Sequence, residues 1–94
     1  MKISDMNEFN TTEYLRGEGW LVVKTIVLSL AGFPDIFAFR NKVAIFIEVK
    51  SPKGKLTKLQ QYRIDQLRGH GFYAEMFNDF NIFKKNYEQI PDLF

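Results

Sequence analysis

An α/β fold, with about four strands flanked by helices, is what this 94-residue sequence predicts, and three observations carry the prediction. Residues 20–26 and 43–49 are strand-length runs rich in β-branched and aromatic side chains. Residues 34–39 and 43–49 flank Arg40-Asn41-Lys42 with the spacing of a β-hairpin. Around these runs lie stretches with helix-capping residues before them and glycines after them. The length fits a single domain over residues 1–94, because a chain this short buries only roughly 60 to 65% of its unfolded surface and cannot supply two cores. Ten Phe, four Tyr and one Trp provide the core, with some expected at an interface.

In chain order, Ser4 or Asp5 caps a first helix reaching about Arg16, with Met6, Phe9 and Leu15 turned to the core and Gly17 and Gly19 ending it. Residues 20–26 form the first strand, and Pro34 fixes the start of the second. If Asn41-Lys42 is a two-residue loop, Arg40 pairs with Val43 and Asp35 falls opposite Glu48, with Cβ atoms roughly 4.5 to 5.5 Å apart. A three-residue loop would put the two carboxylates on opposite faces. Ser51-Pro52-Lys53-Gly54-Lys55 is a turn-rich loop, and Thr57 caps a helix to about Arg68, in which Gln60 shares the inward stripe of Ile64 and Leu67. Residues 72–77 form a fourth strand. Asn78 or Asp79 caps a last helix with Phe80, Phe83 and Tyr87 on one side, and Pro91-Asp92-Leu93-Phe94 is expected to fray or dock at a partner.

With no Cys, the chain has neither disulfides nor thiolate metal sites, which suits a reducing cytoplasm and excludes zinc fingers. No apolar run approaches membrane-span length, so a membrane role is not expected. The net charge of +2 is unevenly spread, with six basic side chains against one Asp between residues 50 and 70. Lys50, Lys53, Lys55, Lys58, Arg63 and Arg68 therefore point to an anionic polymer as partner. No glycine-rich phosphate loop followed by Lys-Ser or Lys-Thr is present, which argues against a P-loop NTPase.

The chemistry concentrates in Pro34-Asp35 and, after twelve residues, Glu48-Val49-Lys50. Glu48 and Lys50 share a strand face while Val49 points to the other. Two like charges placed opposite each other repel, and become favourable once a cation sits between them, so the register itself argues for a metal. Asp35, Glu48 and the Val49 backbone carbonyl offer hard oxygen ligands suited to Mg²⁺ or Mn²⁺, and Lys50 is placed to orient a water or neutralise charge on a phosphate. Lys53, Lys55, Lys58 and Arg63 are candidate phosphate contacts that hold a nucleic-acid backbone without reading its sequence. Glu8 and Glu13 on the first helix are each candidates to reach the metal or solvated helix carboxylates. The lone His70 reads as a cap or surface residue, and Pro91-Asp92, with no Glu-x-Lys after it, as a turn.

Gly19-Trp20 after Tyr14-Leu15, Gly32-Phe33-Pro34-Asp35-Ile36, Phe46-Ile47-Glu48-Val49-Lys50 and Gly54-Lys55-Leu56-Thr57-Lys58-Leu59-Gln60 together resemble the virus-type replication-repair nuclease (VRR-NUC) family of the PD-(D/E)XK superfamily. The resemblance runs from about Glu8 to Phe77. It implies a restriction-endonuclease-like core, with a central mixed β-sheet of about four strands flanked by helices, and divalent-metal hydrolysis of DNA phosphodiesters. It also implies Asp35 and Glu48 as metal ligands, Lys50 as the catalytic lysine, Gln60 as the active-site glutamine and Glu8 as the nearest match to a first-helix acid. Stand-alone members similar to this chain look like dimeric junction-resolving enzymes. The expectation is a homodimeric Holliday-junction resolvase acting on branched DNA, in a host cytoplasm if phage-encoded. A flap or nicking endonuclease is the near alternative, and a non-catalytic branched-DNA-binding module the alternative from another class.

Overall fold

The computed structural model describes residues 3–26 and 28–90. In chain order the elements are α1 (Ile3–Gly17), β1 (Leu21–Lys24), β2 (Ile36–Arg40), β3 (Val43–Val49), α2 (Lys58–Gly69), β4 (Tyr73–Phe77) and α3 (Phe80–Glu88). The four strands form one sheet in the order β1-β2-β3-β4. β1 pairs with β2 and β2 with β3 antiparallel, and β4 returns parallel to β3 after the α2 crossover, so the expected mixed α/β sheet is present. The Pro91-Asp92-Leu93-Phe94 expectation lies outside the described residues.

The two faces of the sheet carry separate clusters. On one, Ile36, Ala38, Ile45, Ile47 and Val49 pack with Leu15 and Trp20 and with Phe83 and Tyr87 of α3. On the other, Phe46 and Ala74 meet Ile64 and Leu67 of α2, with Phe33, Phe37 and Met76 packed beside them. The sheet alternation explains the division: odd-numbered residues of β3 enter the first cluster and even-numbered ones the second. Aromatic rings fill both, including Phe37 against Phe46 with centroids 5.0 Å apart and Phe77 against Phe83 at 5.2 Å.

The hairpin register matches the two-residue loop. Arg40 pairs with Val43 and Ile36 with Ile47, while Asn41 and Lys42 adopt φ of 50° and 68°, the left-handed pair that a tight hairpin turn requires. Thr57 caps α2 through a reciprocal box, its hydroxyl accepting from the Gln60 N–H while the Thr57 N–H donates to Gln60 Oε1. Of the two residues expected to cap α3, Asp79 does so, its Oδ1 accepting from the N–H groups of Asn81 and Ile82.

Helix α1 departs from expectation. It begins at Ile3, so Ser4 and Asp5 stand inside its first turn rather than before it. Met6 and Phe9 are about half exposed, and the covered stripe is Asn7, Glu8, Thr11, Thr12 and Leu15. Those residues repeat at i, i+4 and i+8, a stripe that Met6 and Phe9 do not share. Leu15 is fully buried as expected, whereas Met6 and Phe9 stay outside because this end of α1 meets the backbone carbonyls of Lys50 and Asn78, which select the polar Asn7.

Candidate active site

Asp35 sits one residue before β2, and Glu48 one residue before the end of β3. The printed pairing of Ile36 with Ile47 carries on by one step to place these two residues across from each other. They lie on the α2 side of the sheet, one alternation beyond Phe37 and Phe46, whose rings meet edge-to-face, with Met76 of β4 opposite Glu48 on its other flank. An acid is thus built into the edge of an apolar cluster. Glu48 is only 3% exposed.

Burial therefore pushes the Glu48 carboxyl up to about 8, and the hydrogen-bonding contact and negative charge of Asp35 add to the rise, while Lys50 opposes it. Lys50 Nζ lies 3.5 Å from Glu48 Oε2. Glu48 Oε1 is buried and has no hydrogen-bond partner among the described residues. A lone buried carboxylate oxygen beside a second carboxyl is costly unless something positive meets it. The donor set, two carboxylates at the end of an antiparallel pair, fits a hard divalent cation. Val49 turns its side chain into the α1/α3 cluster, so only its backbone is left to serve the same centre. Among the described residues, no group of three or more His, Asp or Glu side chains gathers to hold a metal. Two protein carboxylates is a count that Mg²⁺ accepts when waters and substrate phosphate complete its shell.

Lys50 is held from several directions. Its N–H donates to Phe77 O (2.9 Å), extending the β3–β4 ladder by one rung. Its carbonyl accepts from Asn7 Nδ2 (3.3 Å), which also donates to Asn78 O (3.1 Å). Asn78 Nδ2 in turn donates to Pro52 O (3.1 Å). Gly54 closes over the lysine stem: a Cβ there would stand 2.9 Å from Lys50 Cβ, so no side chain fits without a shift.

The remaining candidates are dispersed. Gln60 spends its amide oxygen on the Thr57 cap at the start of α2, as part of the basic segment. Glu8, expected as a further ligand, instead pairs with Lys24 Nζ at 3.0 Å. Lys24 alternates with Val22, which lies in the α1/α3 cluster, so this ion pair belongs to the face away from Asp35 and Glu48. Glu13 pairs with Arg16 on the outer side of α1. Lys53, Lys55 and Lys58 are exposed, as phosphate contacts must be. Arg63 is engaged, its Nε donating to Ala31 O (3.0 Å) and its Nη1 to Gln66 Oε1 (3.2 Å), so it braces the loop before Asp35. Asn7 was missed by sequence reasoning, since a helix asparagine carries no signal until its distant partners are known.

A family model for the VRR-NUC domain matches residues 19–80. No curated protein matches the sequence. Among solved structures, a VRR_NUC domain superposes with a TM-score of 0.85 at 22% identity, covering 95% of this chain and 98% of the other. A VRR_NUC domain protein superposes with a TM-score of 0.77 at 15% identity, covering 99% and 91%. The matched segment contains Asp35, Glu48, Lys50 and the whole sheet. This chain belongs to the VRR-NUC family, a nuclease domain of the PD-(D/E)XK type.

Proposed function

We propose that this protein is a divalent-metal-dependent endodeoxyribonuclease that cuts branched DNA, above all four-way junctions, as a homodimer. The observation that carries the catalytic part is the buried Glu48 Oε1 beside Asp35, with no hydrogen-bond partner among the described residues. Asp35, Glu48 and the Val49 carbonyl would hold Mg²⁺ or Mn²⁺. The chemistry such a cation would supply is polarisation of the scissile phosphate and acidification of the attacking water. The Lys50 ammonium, held by its backbone bonds and by Gly54, places positive charge where the phosphoryl oxygens gain negative charge, and positions the nucleophile. Gln60 presents its NH₂ end to water or phosphate while its oxygen stays on Thr57. Lys53, Lys55 and Lys58 hold the DNA backbone.

The dimer is supported by apolar surface at the open β1 edge, where Leu21 (67% exposed) pairs in register with Phe39 (40%) beside Val23 (42%). Two centres related by a twofold axis suit the two symmetry-related strands of a junction. The test is a panel of four-way, flapped, nicked, duplex and single-stranded DNA with Mg²⁺, Mn²⁺ or chelator, run with wild type and Glu48→Ala. Paired incisions across the four-way junction that vanish with chelator and in Glu48→Ala are expected. Single incisions confined to flaps or nicks, with only monomer by light scattering, would replace resolvase by flap or nicking endonuclease. Tight branched-DNA binding without any cutting would make the protein a binding module.

A further inference from the structure

A cleft of ≈ 300 Å³ opens directly beside Asp35, walled by Thr25, Ile26, Leu28, Leu30 and Phe33 together with Asp35 itself. Its aliphatic walls stand in water: Ile26 is 94% exposed, Leu30 43% and Leu28 41%. Leaving such side chains wet forgoes about 25 cal/mol for each Å² that burial would remove. The segment is nonetheless held out from the core at both ends. The Thr25 N–H donates to Asp35 O (2.8 Å), and the Thr25 hydroxyl to Pro34 O (3.2 Å). At the other end Arg63 Nε donates to Ala31 O, and Gly32, with φ of 81°, lies so close to α2 that a Cβ would stand 2.7 Å from Leu59 Cγ.

We propose that this cleft receives a single nucleobase, unstacked from the DNA, belonging to a nucleotide that flanks the scissile phosphate. The inference rests on the nuclease reading and narrows its substrate to DNA with an unpaired or easily unpaired base at the cut. The continuity is geometric: Asp35 lines the cleft and is one of the two carboxylates that would hold the cation on the scissile phosphate, so what enters the cleft is the next part of the same strand. The walls match a base, because exposed Ile26, Leu28 and Leu30 can cover its face while the polar Thr25 and Asp35 lie beside them to meet its edge. A base inside a duplex reaches the cleft only by leaving its stack, and that cost is smallest where it is already unpaired. A branch point supplies such a base.

The test combines a protein change with a substrate change. Ile26→Ser/Leu30→Ser and wild type are compared on a branched substrate with an intact base, or an abasic site, on each side of the scissile phosphate in turn. On one side, the abasic site is expected to lower wild-type kcat/KM about tenfold, the scale of one base stacked on a side chain. The double variant shows that loss already on intact DNA and no further loss on abasic DNA. Equal abasic losses in both proteins, or none in either, overturn the proposal. A second readout needs no cleavage: 2-aminopurine beside the cut should brighten when bound by Lys50→Ala, and stay dim with Lys50→Ala carrying the two serines. Fluorescence unchanged by Lys50→Ala also overturns it. Failure of the nuclease reading looks different, since wild type then cuts no substrate in Mg²⁺ or Mn²⁺ whatever the fluorescence does.

Discussion

At the residue scale, the protein is organised around the cost of burying Glu48. Its carboxyl is raised from an ordinary 4.5 to about 8 by burial and by Asp35, so the fold favours the protonated form. The stability this contributes is complete below pH 4.5 and is lost as pH rises through about 8. Without metal, the protein should melt at a lower temperature at pH 8.5 than at pH 5.5, and Mg²⁺ should recover the difference at pH 8.5; calorimetry with and without chelator checks both. Glu48→Gln should remove the pH dependence together with at least 100-fold of the cleavage rate, because an amide tolerates the pocket but cannot supply the anionic ligand. Asn7 gives a second prediction at this scale. Its amide donates to the carbonyls of Lys50 and Asn78. Asn7→Asp, though isosteric, should destabilise more than Asn7→Ala, since a carboxylate repels both carbonyls where alanine only leaves them unpaired. About 1 to 3 kcal/mol for the alanine, read by denaturant unfolding, is expected.

At the level of elements, the β2–β3 hairpin decides whether the site exists. Pairing of Arg40 with Val43 puts Asp35 across from Glu48, and a slip of one residue would send one of them through to the α1 side. The turn achieves this with two non-glycine residues in the left-handed region, Asn41 at 50° and Lys42 at 68°. Asparagine tolerates that conformation and lysine pays for it, so Lys42→Gly should stabilise the protein by about 1 kcal/mol while leaving cleavage unchanged. Equilibrium unfolding and a cleavage assay on the same preparation measure the two effects. The crossover after β3 has a different task. Gly54 admits the chain past the Lys50 stem, and the Thr57–Gln60 box starts α2.

Across the whole molecule, charge and topology converge. The basic segment leaves the sheet where β3 ends, so Lys53, Lys55 and Lys58 flank the carboxylate pair by connectivity alone. Lysines that contact DNA phosphates act through counterion release. Binding of branched DNA should fall linearly on a log–log plot against salt, and each lysine changed to Gln should reduce that slope by about 1 without altering which DNA shape is preferred. Fluorescence anisotropy at several salt concentrations, in Ca²⁺ to hold back cleavage, measures the slope. No helix among the described residues is long and apolar enough to cross a membrane.

Asp35, Glu48 and Lys50, the hairpin that joins them and the capped helix after them were all legible in the residues, because strand alternation, turn length and capping chemistry are local rules. What lay beyond the sequence were relations between distant segments. The first half of α1 was oriented by the carbonyls it meets, so Met6 and Phe9 stayed outside while Asn7 turned in, and only further along did an apolar residue, Leu15, reach the core. Glu8 found Lys24 on the far face of the sheet, and Arg63 went to the Ala31 carbonyl. A side chain's partner is chosen by free energy summed over everything that packs around it, and only the assembled fold contains that sum.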